Sequence, residues 1–414
     1  MKAKAKGAVL LVALTLAGCG GGGSSPGSSP GSTPIPVTPA PIPTVVNGDA
    51  KSLINAPSTL RAINVVVAVA DSGINDSHDE FVGTSIDGRS GAFVTNDPLD
   101  ADWNSTYKYS QVYSDGYEPE GTGGMVSHGT AVASLIYGKD AGLLSDSTLL
   151  AMDVLYSGSL ADNDFDPAGG SPNALAGILA TADFDKTFVV DFLNLSISGT
   201  GTYLNVATFG NTGKAVYDEF ALSNSAIIAA AGNAQLDFTE IYVSNTPACP
   251  VDPDGSFSGD PQGYAYERCY ALEYYRNEKT LIPYTNDNLR DTLIMVVAVD
   301  NSGSIASFSN RPGTDITIQE RFIAAPGVNL TVASHSSNSG FIRKSGTSFA
   351  APLVTAAAAA VKSEFPSLTN RAVLQVLLDT ADDSFAGYEP ELHGMGILDI
   401  EAALNINPSN YITP

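Results

Sequence analysis

Five short runs of consecutive apolar residues punctuate the chain: NVVVAVA at 64–70, LLAMDVL at 149–155, FVVDFLNLS at 188–196, AIIAAA at 226–231 and LIMVVAV at 293–299. None alternates apolar with polar positions, so each predicts a strand covered on both faces. Between them, small residues recur at helical spacing near 128–138, 173–184, 214–224, 348–364 and 369–380. Strand and helix in alternation make βαβ units, because parallel neighbours need a crossover and a helix supplies it. The expected class is α/β, three layers deep, with a mostly parallel central sheet and helices on both faces. Two segments, 82–125 and 235–290, are rich in Gly, Asp, Asn and Tyr without sustained periodicity and are expected as surface insertions.

The first residues follow a different pattern. Lys2, Lys4 and Lys6 precede an apolar run from Ala8 to Ala17, which leads into Leu16-Ala17-Gly18-Cys19. A positive flank before an apolar run too short to span a bilayer predicts a signal peptide over 1–18. Small residues directly before a cysteine resemble the lipobox of bacterial lipoproteins, which implies cleavage and acylation at Cys19. Several acyl chains on one residue anchor stably where a single chain is marginal. Gly20 is not the aspartate that retains many such proteins at the inner membrane, so the outer membrane or cell surface is favoured, with release as a further outcome. Residues 19–46 are mostly Gly, Ser, Pro and Thr, too poor in apolar groups to offset ordering entropy, and are expected as a tether. The folded domain is then expected over 47–407, with 408–414 as a tail.

Composition narrows the partners. Lys+Arg 20 against Asp+Glu 44 gives a formal charge of −24, which repels phosphate backbones and excludes nucleic acid as an expected partner. The surplus acid serves either solubility or calcium, and Asp162-Asn163-Asp164-Phe165-Asp166 invites the second reading. That stretch fails as an EF-hand loop, with Pro167 where glycine is needed and Asn173 where glutamate is. No calcium ligand set follows, and no cofactor is required. With Cys19 given to lipid, Cys249 and Cys269 remain, an even pair in an exported chain, so a disulfide is expected, with two free thiols as the alternative.

Three polar residues stand where chemistry can be done. Asp71 ends the first apolar run in AVADSGI, at the carboxyl end of a buried strand, where open α/β sheets place their sites. His128, in SHGTAVASLI, opens a helical pattern. The other histidines read differently: His78 as structural, His335 and His393 as solvent-facing. Ser348 lies in KSGTSFAAPLV, at the start of a small-residue helix with Pro352 expected in its tolerant first turn. Each has a bland reading when taken alone, as a turn cap, a surface imidazole or a helix N-cap.

Together, and in this order, DSG, HGT and GTSFAAP resemble the three signature blocks of the subtilisin-like serine peptidases, in which the order is Asp, His, Ser. The resemblance covers about 60–405, with SFSNRPG (307–313), FIAAPG (322–327) and GMGILDIEAAL (394–404) as further landmarks, and leans toward autotransporter peptidases. It implies a subtilisin-like fold and serine endopeptidase chemistry through an acyl-enzyme. Ser348 is then the nucleophile, His128 the base and Asp71 its orienting partner. Asn233, in AAAGN, matches the oxyanion asparagine and would act with the Ser348 backbone N–H. Ser196, Ile197, Ser198 and Gly199 resemble the edge that pairs with an extended substrate, and Ala230, Ala231 and Gly232 the opposite wall of the first specificity pocket. Protein or peptide substrates, a membrane contact through Cys19 and a monomeric state are expected. The pattern departs from the family at Ala131, where many relatives have a second histidine, and between Cys19 and Asp71, which leaves no room for the usual folded pro-domain. Unaided folding, help from another protein, or a wrapping segment at 44–62 are the ways round it. A catalytically silent surface-binding module on the same fold is the alternative function, whereas a lipase is disfavoured by the missing GxSxG elbow.

Overall fold

The computed structural model describes residues 46–88, 90–94, 108–110, 128–153, 190–196, 225–239 and 290–412. Its central sheet runs in the order β11-β10-β9-β8-β2-β7-β4-β5, with β3 also paired to β7. In chain order these are β2 (Val66–Asp71), β3 (Ser85–Ile86), β4 (Gly91–Val94), β5 (Lys108–Ser110), β7 (Thr148–Asp153), β8 (Phe192–Leu195), β9 (Ala226–Ala230), β10 (Leu293–Val299) and β11 (Phe322–Pro326). Two small additions lie outside it: β1 (Leu60–Arg61) with β6 (Leu144–Ser145), and the hairpin β12 (Leu330–Ala333) with β13 (Phe341–Lys344). The sheet is parallel except for β4 against β5. Burial of β8, β9 and β10 along their whole length accounts for their unbroken apolar runs.

Register decides where the chemistry falls. Ala70 lies opposite Leu195, and Leu195 opposite Ala229, so Asp71, Ser196 and Ala230 emerge side by side at one carboxyl edge. Among the described residues the helices are α1 (Gly48–Leu53), α2 (His128–Tyr137), α3 (Ile316–Gln319), α4 (Thr347–Glu364), α5 (Asn370–Asp379), α6 (Pro390–His393) and α7 (Ile400–Leu404). The longest of these, α4, is buried from Thr347 to Val361 and packs on α2 and on strands β8 to β11. Its alanines remove side-chain bulk, which lets a helix lie close to several strands at once. Helix α2 is pinned at its far end by Tyr137, whose hydroxyl donates to the carbonyls of Val67 and Thr148, both at 3.2 Å. Complete burial of that phenol pushes its pKa well above 10.0, so it remains a donor.

The segment before β1 wraps the core. Asn47 binds Thr331 as a neighbouring strand would, its Nδ2 donating to the carbonyl at 2.9 Å and its Oδ1 accepting from the amide at 2.8 Å. Ile54 is fully buried, and its carbonyl accepts from the Ile400 amide at 3.0 Å. The structure also corrects three expectations. The stretch 82–125 is not wholly surface loop, since β3, β4 and β5 extend the sheet through it. The stretch 235–290 is not wholly surface either, because Leu236 and Phe238 at its start are buried. His393 does not face solvent: it is 2% exposed, its Nε2 lies 3.1 Å from the Gly303 carbonyl, and its ring meets Phe385 edge-on. The flanking glycines that suggested a loop instead let the backbone pack closely. The expected helices at 173–184 and 214–224 lie outside the described residues.

Candidate active site

Asp71 is 1% exposed and His128 begins α2, with the imidazole Nδ1 at 2.8 and 3.0 Å from the two carboxylate oxygens. A carboxylate only accepts, so Nδ1 carries the proton and a neutral ring keeps its lone pair on Nε2. The loop after β2 holds this geometry. Ser72 donates its amide to Asp71 Oδ1 at 2.8 Å, and its hydroxyl accepts from the Gly129 amide at 2.9 Å, which satisfies one of the orphan N–H groups at the start of α2. Thr130 Oγ1 accepts from the Asn75 amide at 2.9 Å. Aspartate and histidine, 57 residues apart, are thus fixed to one another by backbone contacts on both sides.

Ser348 is the second residue of α4, and the ring of Phe349 next to it packs 5.4 Å from the His128 ring. Pro352 falls in the second turn rather than the first, four residues after Ser348. It has no N–H to give the Ser348 carbonyl, and proline inside a helix ordinarily strands that oxygen. Here the Ser196 hydroxyl takes the missing place, donating to the Ser348 carbonyl at 2.9 Å. A buried chain supports it: Asn194 Nδ2 donates to Ser196 Oγ at 3.0 Å, and Thr355 Oγ1 donates to Asn194 Oδ1 at 2.9 Å. The Ser348 hydroxyl donates to the Ser196 carbonyl at 2.9 Å. With its single proton so engaged, it does not donate to His128 in this rotamer.

Asn233 follows β9 and Gly232, whose φ of 103° belongs to glycine. Its Oδ1 accepts from the Thr347 amide at 2.9 Å and from Thr347 Oγ1 at 3.1 Å. An amide donor can face only an oxygen, so these bonds fix which end of the side chain is which. They leave Nδ2 as the donor end, beside the residue preceding Ser348. Thr347 Oγ1 in turn accepts from the Gly232 amide at 3.0 Å, tying the loop to α4.

Of the expected substrate edges, Ser196 is buried just after β8, and Ala230 ends β9 with Ala231 and Gly232 following it. Ile197, Ser198 and Gly199 lie outside the described residues, as do Cys19, Cys249, Cys269 and the Asp162 to Asp166 stretch. Among the described residues, no group of three His, Cys, Asp or Glu side chains could hold a metal ion. Sequence reasoning overlooked Ser72, Thr347, Asn194 and Thr355. Asn194 carried a usable signal: an amide inside an otherwise apolar strand is buried, and a buried amide must be paired.

The sequence model of the subtilase family, peptidase S8, matches residues 62–396. Subtilisin DY of Bacillus licheniformis is 26% identical over 352 residues, 83% of this chain and 92% of that protein. Mycosin-1 of Mycobacterium tuberculosis is 26% identical over 294 residues, covering 67% of this chain and 60% of its own length. Serotype-specific antigen 1 of Mannheimia haemolytica is 34% identical over 137 residues, 32% of this chain but only 14% of that protein. Among solved structures, the MycP3 protease of the type VII (ESX-3) secretion system superposes with a TM-score of 0.54 at 22% identity, over 90% of this chain and 91% of that one. A cold-adapted subtilisin-like serine proteinase gives 0.51 at 18% identity, over 86% and 98%. With the fold shared and the family's sequence pattern running through most of its length, the chain belongs to the subtilase family, peptidase S8.

Proposed function

We propose that this chain is an exported endopeptidase that hydrolyses peptide bonds through Asp71, His128 and Ser348, acting on surface or extracellular proteins. The observation that carries the reading is the buried Asp71 carboxylate held by both oxygens against His128 Nδ1. It sets the tautomer a general base needs and stabilises the imidazolium formed when the base is used. In the reaction, Ser348 turns by one rotamer, about 120°, away from the Ser196 carbonyl and toward Nε2. The freed carbonyl becomes an acceptor for the backbone N–H of an extended substrate, so docking and release of the hydroxyl are the same exchange. Oγ attacks the scissile carbonyl, its proton passes to Nε2, and the proton is then given to the leaving amine. Water enters by the same base and hydrolyses the acyl-enzyme. The oxyanion is met by Asn233 Nδ2 and the Ser348 amide at the start of α4, where the helix dipole also favours negative charge. Side chains and water complete the chemistry, and no cofactor enters.

A fluorophosphonate probe and casein cleavage test this directly. Mature protein should label at Ser348 and cleave casein, and Ser348→Ala should abolish both; folded protein with neither property would refute the proposal and favour a silent binding module. The same proposal places the domain at the outer membrane or cell surface through acylated Cys19, as a monomer, with Cys249 and Cys269 joined. The lipobox-like sequence supports the anchor, and Cys19→Ala should release the protein or leave its precursor uncut. Unchanged retention and mobility would refute the anchor alone. Alkylation with and without reductant tests the disulfide.

A further inference from the structure

We infer that Asn310 is a positioning residue for the oxyanion site, acting through the loop that carries Asn233; the inference rests on the role proposed for Asn233. Asn310 is fully buried and lies far from Asn233 in sequence, in the turn after β10. Its side chain grips the 231–236 loop on both sides of Asn233. Nδ2 donates to the Ala231 carbonyl at 2.8 Å, while Oδ1 accepts from the amides of Ala234 at 3.0 Å and Leu236 at 2.9 Å. Its own amide adds a fourth bond, to the Gly232 carbonyl at 2.9 Å. One residue therefore fixes the backbone immediately before and after Asn233.

The loop needs such a clamp. It leaves β9 through Gly232 at φ 103° and turns again at Gln235 with φ 58°, so it cannot continue the sheet and its polar backbone must be paired elsewhere. The division of labour is clear from the partners. Thr347 orients the Asn233 side chain, and Asn310 sets the position of the Asn233 backbone. Oxyanion donors act only at a narrow distance from the developing charge, so backbone drift at Asn233 lowers turnover more than it weakens substrate binding. The Asp71–His128 pair receives no bond from the Asn310 side chain among the contacts described, and of the expected substrate edges it reaches only the Ala231 carbonyl, its other partners being Ala234 and Leu236.

The experiment measures kcat, KM and melting temperature for mature wild type, Asn233→Ala, Asn310→Ala, Asn310→Asp and the Asn233→Ala/Asn310→Ala double variant. Loss of the oxyanion donor is expected to cost roughly 10²–10³ in kcat. Asn310→Ala should lower kcat by about 10-fold to 100-fold with KM within about twofold. Asn310→Asp keeps the acceptor for Ala234 and Leu236 but loses the donor to Ala231, and should fall between wild type and Asn310→Ala. In the double variant the loss should not exceed that of Asn233→Ala by more than about threefold, because two residues serving one interaction do not add. Losses that multiply, a loss confined to KM, an unchanged kcat, or failure of both Asn310 variants to fold would overturn the positioning role. An Asn233→Ala enzyme with full kcat would instead sink the oxyanion reading on which it rests, and that result is visible before Asn310 is touched.

Discussion

Gly129 offers a test of how tightly the Asp71–His128 pair is built. It follows His128 at the start of α2, and a β-carbon there would lie 2.0 Å from the Gly73 carbonyl oxygen, 3.1 Å from its carbon and 3.2 Å from its nitrogen. Carbon and carbonyl oxygen in favourable contact sit about 3.3–3.6 Å apart, so Gly129→Ala requires a separation of roughly 1 Å or more. All three obstructing atoms are backbone, and no rotamer change can relieve them. The loop after β2 and the start of α2 must move apart, and these are the two elements that carry Asp71 and His128. Bonds of 2.8 and 3.0 Å do not survive such a shift. Overpacking should cost about 1–3 kcal/mol in stability, and misplacement of about 1 Å should cost about 10²-fold in kcat/KM. A chromogenic peptide amide assay reads the second, and differential scanning calorimetry the first. Gly88→Ala is the control, since nothing lies within 4 Å of its β-carbon position. If Gly129→Ala kept both activity and melting temperature while the control behaved as expected, the close approach of α2 to Gly73 would be wrong.

Three further substitutions probe other joints. Ser196→Ala removes the donor to the Ser348 carbonyl and the acceptor for Asn194 Nδ2, leaving two buried polar groups short, and should cost about 1–3 kcal/mol in urea unfolding. Asn47→Ala deletes both bonds to Thr331 at a residue held at φ 57°, and should lower stability by about 1–2 kcal/mol with KM unchanged. Burial holds the Glu80 carboxyl above its ordinary 4.5, against the amides of Ala141 and Asp140 that favour its charge, with Lys139 and Lys51 nearby. Its contribution to stability is therefore full below about pH 4.5 and is lost as pH rises through the folded value. Unfolding curves of wild type and Glu80→Gln should diverge in the variant's favour as pH rises, and a difference independent of pH would refute that burial cost.

The parallel sheet was legible because burial on both faces writes itself as unbroken apolar runs, and β8, β9 and β10 sit within or on those runs. Strands β11 to β13 were not, since FIAAP ends in proline and the hairpin strands LTVA and FIRK carry polar or charged residues that break any apolar run. The expected catalytic residues Asp71, His128 and Ser348 were recognisable from flanking motifs, and the structure joins Asp71 to His128 directly. What the sequence could not display was support arriving from elsewhere: Ser196 replacing the bond that Pro352 removes, or Asn310 reaching back to Ala231. Such contacts depend on three-dimensional register, which leaves no local periodicity. His393 shows the converse, a residue in a glycine-rich context that turned out to be interior.

The burial of α4 has a consequence for how this enzyme ages. A helix packed against α2 and four strands cannot detach without dismantling the core, so its amides should exchange with solvent only when the whole domain opens. Ser348, the proposed nucleophile, thus belongs to the slowest-opening unit, and a peptidase that attacks its own exposed segments would keep Ser348 in place until global collapse. Its lifetime is then set by the rate at which the entire fold comes undone, and nicking at the periphery shortens it only by raising that rate.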